Sequence, residues 1–115
     1  MATIPVQPPS FAGSELSFSA AAALGDAFSN NGNQVAVFKN ESVAPITVTF
    51  EGQGVDNFGV SGAGNATFDH PVSVPAGATH FLVGPFQTKR FNDTTNKVQM
   101  TYSTHVDLHV AVLGR

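Results

Sequence analysis

The sequence predicts an all-β protein, an antiparallel β-sandwich or jelly-roll-like fold with an extended N-terminal arm. Three observations lead to this prediction. Short runs of β-branched and aromatic residues alternate apolar and polar side chains with a period of two. Glycine, proline and asparagine, which favour turns, separate these runs. The length of 115 residues is typical of one domain. We therefore expect an arm over residues 1–13 and a single sandwich domain over residues 14–115.

The N-terminal segment is expected to be extended because it contains three of the chain's seven prolines. Proline fixes φ and removes a backbone donor, which keeps such a segment out of a central sheet. Ile4, Val6 and Phe11 are apolar side chains that a disordered tail would not need, so they are the predicted contacts to a partner protein or a neighbouring copy. Deleting residues 2–11 is expected to leave the sandwich folded. A frayed tail without function is the alternative.

The first half of the domain is predicted to contain three strands and a loop. Leu16 and Phe18 alternate with serines, which indicates a strand. Residues 25–33, with the sequence GDAFSNNGN, are dense in turn formers and are predicted to form a loop. Residues 34–40 and 45–52 are β-branched and alternating, and the segment ESVAP after the first of them fits a short hairpin connection.

The second half is predicted to contain four strands. Residues 71–74 and 80–83 flank a turn at Pro75-Ala76-Gly77, and residues 86–97 form a polar connection. Residues 97–103 and 105–113 alternate over their whole length. The side chains expected to face the core are Phe18, Val35, Val37, Ile46, Val48, Phe50, Val72, Val74, Phe81, Val83, Val98, Met100, Leu108, Val110 and Val112. Leu82 in place of Phe81 and Val83 is the alternative for that strand.

A glycine-rich stretch interrupts the strand pattern. Residues 52–69 contain five glycines and little periodicity, which predicts a long loop. Its spacing fits neither the dinucleotide-binding pattern nor the P-loop pattern. Ser61 is not in a nucleophile elbow, because Ala63 stands where that motif requires glycine. The sequence assigns no role to residues 52–66.

The last strand carries the densest group of ionisable side chains, His105, Asp107 and His109. A spacing of two would place them on one face, with neighbours roughly 7 Å apart. This is too few ligands for a complete metal site, so a polar outer face or a subunit interface is the favoured interpretation. Residues 91–96, with the sequence FNDTTN, are interpreted as a turn held by Asn and Asp side chains rather than as a calcium site. No metal and no cofactor are expected.

Composition narrows the function further. Charged residues make up 11% of the chain, under half of the roughly 25% typical of soluble domains. The net charge is −3 with five basic residues, so no basic stripe for nucleic acid exists. The N-terminus does not resemble a secretory signal, and no apolar run approaches the ~20 residues that cross a bilayer. With neither a carboxylate pair nor an activated nucleophile, no enzyme is expected. A neutral polar surface suits docking onto protein.

A family resemblance is carried by five segments in order between residues 25 and 113: GDAFSNNGN, VFKNESVAPITVTF, VSVPAGATHFLVGPF, FNDTTNKVQMTYS and VAVL. Together they resemble small head proteins of tailed bacteriophages and prophages, the decoration or cement proteins. The resemblance implies a non-enzymatic virion protein, made in the host cytoplasm, that binds the outside of the assembled capsid and bridges major-capsid subunits. It also implies self-association, with a trimer favoured.

A second function stays open beside the first. A β-sandwich can also serve as a receptor- or carbohydrate-binding module of a phage tail or fibre. Such a module stacks exposed Trp or Tyr on sugar rings, whereas this chain has no Trp and a single Tyr. Tyr102 belongs to the face of its strand that is predicted to point inward.

Overall fold

The computed structural model describes residues 2–9, 13, 15–52 and 69–114. Phe11 and most of the glycine-rich stretch lie outside the described residues. The elements are β1 (Ala2–Thr3), β2 (Val6–Gln7), β3 (Ser19–Ala20), β4 (Asp26–Ser29), β5 (Val35–Asn40), β6 (Ile46–Phe50), β7 (His70–Val74), β8 (Phe81–Val83), α1 (Thr88–Phe91), β9 (Lys97–Tyr102) and β10 (Leu108–Leu113). None of the helical residues in these described ranges forms a helix long and apolar enough to span a membrane.

Two sheets pack face to face, which confirms the predicted β-sandwich. Sheet A has the strand order β1-β4-β9-β6-β7, and sheet B has the order β2-β10-β5-β8 with β3 also paired to β10. The long strands pair antiparallel. The finer expectation of a jelly roll is not shown by this order.

The N-terminal segment is part of both sheets rather than a separate arm. β1 runs parallel to β4 at the edge of sheet A, and β2 runs parallel to β10 in sheet B. Between them the chain crosses from one sheet to the other, and Ile4 enters the core with 3% of its surface exposed. We call residues 2–7 the N-terminal clasp. The domain boundary expected at residue 13 is therefore not where the sandwich begins, because alternate apolar side chains at Ile4 and Val6 pack onto it.

Two predictions about the segment before β5 are wrong. Residues 15–18 have no strand, and pairing begins only at β3. Conversely, residues 26–29, expected in a loop, form β4, which pairs with β9 from Asp26↔Met100 to Ser29↔Lys97. The turn formers flank this strand: Gly25 has a φ of +96°, and a Cβ there would clash with the carbonyl oxygen of Met100. Phe28 at its centre is fully buried.

The side chains of β5 face the opposite way from the prediction. Ala36 and Phe38 belong to the core cluster, whereas Val35 is half-buried and Val37 lies outside that cluster. The apolar run VAVF has no polar residue to mark its inner face, so alternation alone could not choose between the two registers. The hairpin predicted after β5 is also wrong, because β5 belongs to sheet B and β6 to sheet A.

The core lies between the sheets and is closed at one end by aromatic rings. Phe86 and Phe91, in the connection expected to be polar, are buried and pack edge to face with ring centroids 5.5 Å apart. Phe86 also contacts Phe50, with ring centroids 4.7 Å apart. Of the predicted core residues, those buried in the cluster are Ile46, Val48, Phe50, Val74, Val98, Met100, Leu108, Val110 and Val112, while Val72, Phe81 and Val83 are partly buried against it. Phe18 is half-buried and lies outside the cluster, so its assignment to the core was wrong.

Candidate partner-binding surfaces

The structure separates the three apolar side chains predicted to bind a partner. Ile4 is buried in this chain's own core and is not available to a partner in this conformation. Val6 is partly buried against the same core and borders a groove with Pro8, Pro9, Leu16 and Leu113. Phe11 lies outside the described residues. Only Val6 thus remains at an accessible position, and its role in binding stays a prediction.

The histidine face predicted on the last strand is not formed. β10 begins at Leu108, so His105 and Asp107 lie in the preceding turn and only His109 lies on the strand. Asp107 has a φ of +60°, which ends the regular alternation before the strand starts. His109 Nε2 lies 2.7 Å from Glu41 Oε1 instead. Within the described ranges, no three His, Asp or Glu side chains are grouped closely enough to hold a metal ion.

Three exposed aliphatic side chains share one end of the sandwich. Leu24, Val43 and Val106 are 78%, 101% and 56% exposed, and they lie in the segments 21–25, 41–45 and 103–107. These segments meet because β5 ends where β10 begins, with Leu108 opposite Asn40. We call this surface the apolar end. Its 15 residues contain Glu41, His105 and Asp107 but no Lys or Arg. Exposed aliphatic side chains that are grouped on loops with few charges are a feature of protein-docking surfaces.

Asn40 builds one half of the apolar end. It is fully buried, and its amide group donates to the carbonyl oxygens of Ala44 (3.0 Å) and Val74 (3.2 Å). Its Oδ1 accepts from the backbone N–H and the hydroxyl of Ser42, at 3.0 and 2.7 Å. A buried amide whose donors and acceptor are all used rigidifies its surroundings. The crossover from sheet B to sheet A, and with it Val43, is thereby held in place.

Asp26 and Tyr102 hold the part of the apolar end that carries Leu24. Asp26 is fully buried, and its Oδ2 accepts from the Tyr102 hydroxyl (2.6 Å) and from the Ala22 backbone N–H (3.1 Å). Burial, together with the hydrogen bond to Asp26 and its charge, raises the pKa of Tyr102 far above its usual range. Asp26 Oδ1 has no partner among the described residues. The turn that carries Leu24 is therefore anchored to β9 through a side chain at the start of β4.

Backbone hydrogen bonds join the halves into one surface. The Ala21 N–H donates to the Leu108 carbonyl oxygen at 2.9 Å, and the Glu41 N–H donates to the Asp107 carbonyl oxygen at 2.8 Å. The turn with Val106 is thus fixed between the other two segments. This surface was not predicted from the sequence. The sequence feature that could have indicated it is that each of its aliphatic residues lies in a loop, alone among small or polar residues.

Another exposed aliphatic side chain lies on the outer face of sheet B. Leu82 is 58% exposed and pairs with Val37, which in turn pairs with Ala111. Val37 and Ala111 are buried although they lie outside the cluster between the sheets. Sheet B is therefore apolar on both of its faces, as the continuous apolar runs of β5 and β10 indicate.

The opposite end of the sandwich is held by polar side chains. Partial burial tends to raise the pKa of Asp93, but hydrogen bonds from Thr95, Gln99 and the Lys97 backbone outweigh it and lower that pKa to about 2. The Thr95 and Lys97 N–H groups donate to Asp93 Oδ1, and the Asn96 N–H donates to the Asp93 carbonyl oxygen. These bonds confirm the predicted turn over residues 93–96, whereas Phe91 ends helix α1. A shallow pocket nearby has a volume of about 290 Å³ and is lined by His70, Arg90, Gln87 and aromatic rings. Since none of the described residues brings a carboxylate or hydroxyl to its lining, the pocket offers no acid–base or nucleophile pair there.

Comparison with known proteins adds no relative to this picture. No protein-family model, no curated protein and no solved structure matches the chain. The sandwich and its apolar end therefore have to be interpreted from their own geometry.

Proposed function

We propose that the chain is a non-enzymatic capsid decoration protein of a tailed bacteriophage or prophage. In this function it binds the outer surface of the assembled head and stabilises contacts between major-capsid subunits, with several copies associating, most simply as a trimer. The apolar end is the surface that meets the capsid. The observation that carries the proposal is the placement of Leu24, Val43 and Val106 together on one end of a rigid sandwich.

The chemistry of the apolar end supports docking onto protein. Removing an aliphatic side chain such as Val43 from water contributes roughly 1.5–3 kcal/mol when it is fully buried. Most of the surrounding residues are Ala, Ser, Thr and Pro, which cost far less to cover than ions do. The carboxylates of Glu41 and Asp107 would have to stay hydrated at the rim of such an interface. A charged rim of Lys and Arg, which would favour an anionic partner, is missing from these three segments.

The rigidity of the same loops supports a permanent interface. Asn40 and Asp26, both fully buried, hold their segments through side-chain hydrogen bonds. Loops that are already ordered lose little conformational entropy on binding, which leaves more of the interaction free energy for affinity. Many copies of a modest interface on one symmetric shell would together resist its opening.

The carbohydrate-binding alternative has weaker support. The four large hydrophobic side chains exposed in the described part of the chain are aliphatic, not aromatic. The Tyr102 hydroxyl is bonded to Asp26, so this ring does not present a free polar tip to a sugar. Stacking on sugar rings requires an exposed aromatic face.

Co-sedimentation with purified heads of the source phage tests the proposal. The wild-type chain should bind saturably and raise the temperature at which the heads open. A Val43→Ser, Val106→Ser double variant should bind at least about 10-fold more weakly, since ~1.4 kcal/mol corresponds to a factor of ten. Leu82→Ser is the matched control, because Leu82 is as exposed as Val106 but lies on another face.

Two results would contradict the proposal at different levels. If the wild-type chain does not bind heads at all, the proposed function is wrong. If it binds but Leu82→Ser weakens binding as much as the double variant, the outer face of sheet B is the capsid-binding surface instead of the apolar end.

A further inference from the structure

The N-terminal clasp is attached to the sandwich by groups that any second copy also presents. Its two strands pair in parallel with the edges of β4 and β10. The Ile4 N–H donates to the Ala27 carbonyl oxygen at 2.7 Å, and the Gly114 N–H donates to the Gln7 carbonyl oxygen at 3.1 Å. The clasp is thus held by backbone hydrogen bonds and by the burial of Ile4. A clasp from another copy would make the same contacts.

The connection after the clasp is much longer than its closed position needs. Gln7 pairs with Leu113 and Ser19 lies opposite Val110, so the two attachment points on β10 are three residues apart, which is roughly 10 Å. The 11 residues from 8 to 18 can span about 36 Å when extended. That reach is comparable to the 40 × 36 × 21 Å dimensions of the whole molecule. The clasp can therefore reach a copy that lies alongside.

Exposed hydrogen bonds hold this connection in its closed path. The Gln7 amide donates to the Ser17 carbonyl oxygen at 2.7 Å and accepts from the Ser17 N–H at 2.8 Å, and both bonds are exposed to solvent. Each such bond is modest in net strength. Pro8 and Pro9, both exposed, stiffen the exit from the clasp in an extended direction, which lowers the entropy cost of an open arm.

We propose that residues 2–7 are exchanged between copies, so that the clasp of one chain occupies the edges of β4 and β10 in a second copy. Ile4 of the first copy then fills the core of the second. Exchange of an identical element is a low-cost route to an oligomer. The clasp finds the same strand edges and the same core position in the second copy as in its own chain. The proposal concerns assembly of the chain itself and does not depend on a capsid as partner.

Single-cysteine variants of the full chain test this directly, because the chain contains no cysteine. Thr3 in β1 and Ala27 in β4 are Cα partners. Paired strands lie roughly 5 Å apart, and a disulfide can bridge that distance. A Thr3→Cys chain and an Ala27→Cys chain are unfolded together, refolded as a mixture at several concentrations and oxidised. A disulfide-linked heterodimer forms efficiently only if the clasp of one chain sits on the other.

The control uses a pair that cannot exchange. Thr47 and Ser73 are exposed Cα partners of β6 and β7 on the same sheet, and neither of these strands lies at a chain terminus. A mixture of Thr47→Cys and Ser73→Cys chains therefore reports random collision. We expect the Thr3/Ala27 heterodimer to exceed this background about tenfold or more and to rise with concentration by mass action. A heterodimer yield equal to the control at every concentration, with both variants folded by circular dichroism, would overturn the proposal.

Discussion

Replacing Ile4 with alanine tests whether the N-terminal clasp is a structural part of the sandwich. Ile4 is 3% exposed and belongs to the core cluster. The substitution removes three buried carbons, each worth about 0.8 kcal/mol, so the transfer term alone is about 2.4 kcal/mol. Cavity formation would add to this value. The clasp is paired at four residues only, however, so its release limits the total loss. We expect a destabilisation of about 2–3 kcal/mol.

Urea and thermal unfolding measure this effect. For a domain of this size a loss of 2–3 kcal/mol lowers Tm by roughly 8–15 °C. Val43→Ala is the matched control, because Val43 is fully exposed and its truncation should change the stability by less than about 0.5 kcal/mol. If Ile4→Ala unfolds at the same temperature as Val43→Ala, the clasp is a dispensable arm and burial of Ile4 does not stabilise the sandwich.

Three further predictions concern the core, the apolar end and the polar end opposite it. Phe50→Ala should cost about 3–5 kcal/mol in urea unfolding, because Phe50 is fully buried and contacts the rings of Phe38, His70 and Phe86; a variant that unfolds like the parent would contradict this. Tyr102→Phe should cost about 1–3 kcal/mol, since the buried Asp26 carboxylate loses a donor; unchanged stability would show that the bond contributes nothing. Asp93 has a pKa of about 2 in the folded chain against 3.8 for the free side chain, so its contribution is present above pH 4 and is lost as the pH falls toward 2. Asp93→Asn should therefore flatten the acid side of the stability profile, and an unchanged profile would refute its role.

Alternation in the sequence was sufficient to predict the fold class and the strands with one polar face. β6 and β9 have Thr, Gln or Lys between their apolar residues, so their inner faces are unambiguous. β5 and β10 carry apolar residues on both faces, and there the pattern cannot choose a register. For β5 the prediction was wrong, and Ala36 and Phe38 face the core in place of Val35 and Val37.

Long-range pairing explains the other errors. The strands on either side of ESVAP belong to different sheets, and the Asn40 amide between them donates to the carbonyl oxygen of Val74, 34 positions away. Likewise, residues 26–29 become a strand because β9 lies beside them and Tyr102 satisfies Asp26. No local window contains these partners, so local propensity favoured a loop.

The candidate site could not be predicted either, because it too is formed by residues far apart in the sequence. Leu24, Val43 and Val106 are separated by up to 82 positions in the chain, and only the sheet topology brings their turns to one end. The apolar residues of the N-terminal segment were recognised from the sequence, but Ile4 was assigned to a partner. The structure places Ile4 in the chain's own core, because an isolated apolar side chain in an extended segment packs as readily within the chain as outside it.

Electron microscopy of the source phage heads, with and without this protein, tests the proposed function most directly. Heads assembled in its presence should show added density on the outer surface at the junctions between major-capsid subunits. The sandwich should fit that density with residues 21–25, 41–45 and 103–107 toward the shell. Identical heads in both samples, or density for this chain only on the tail, would contradict the assignment as a capsid decoration protein.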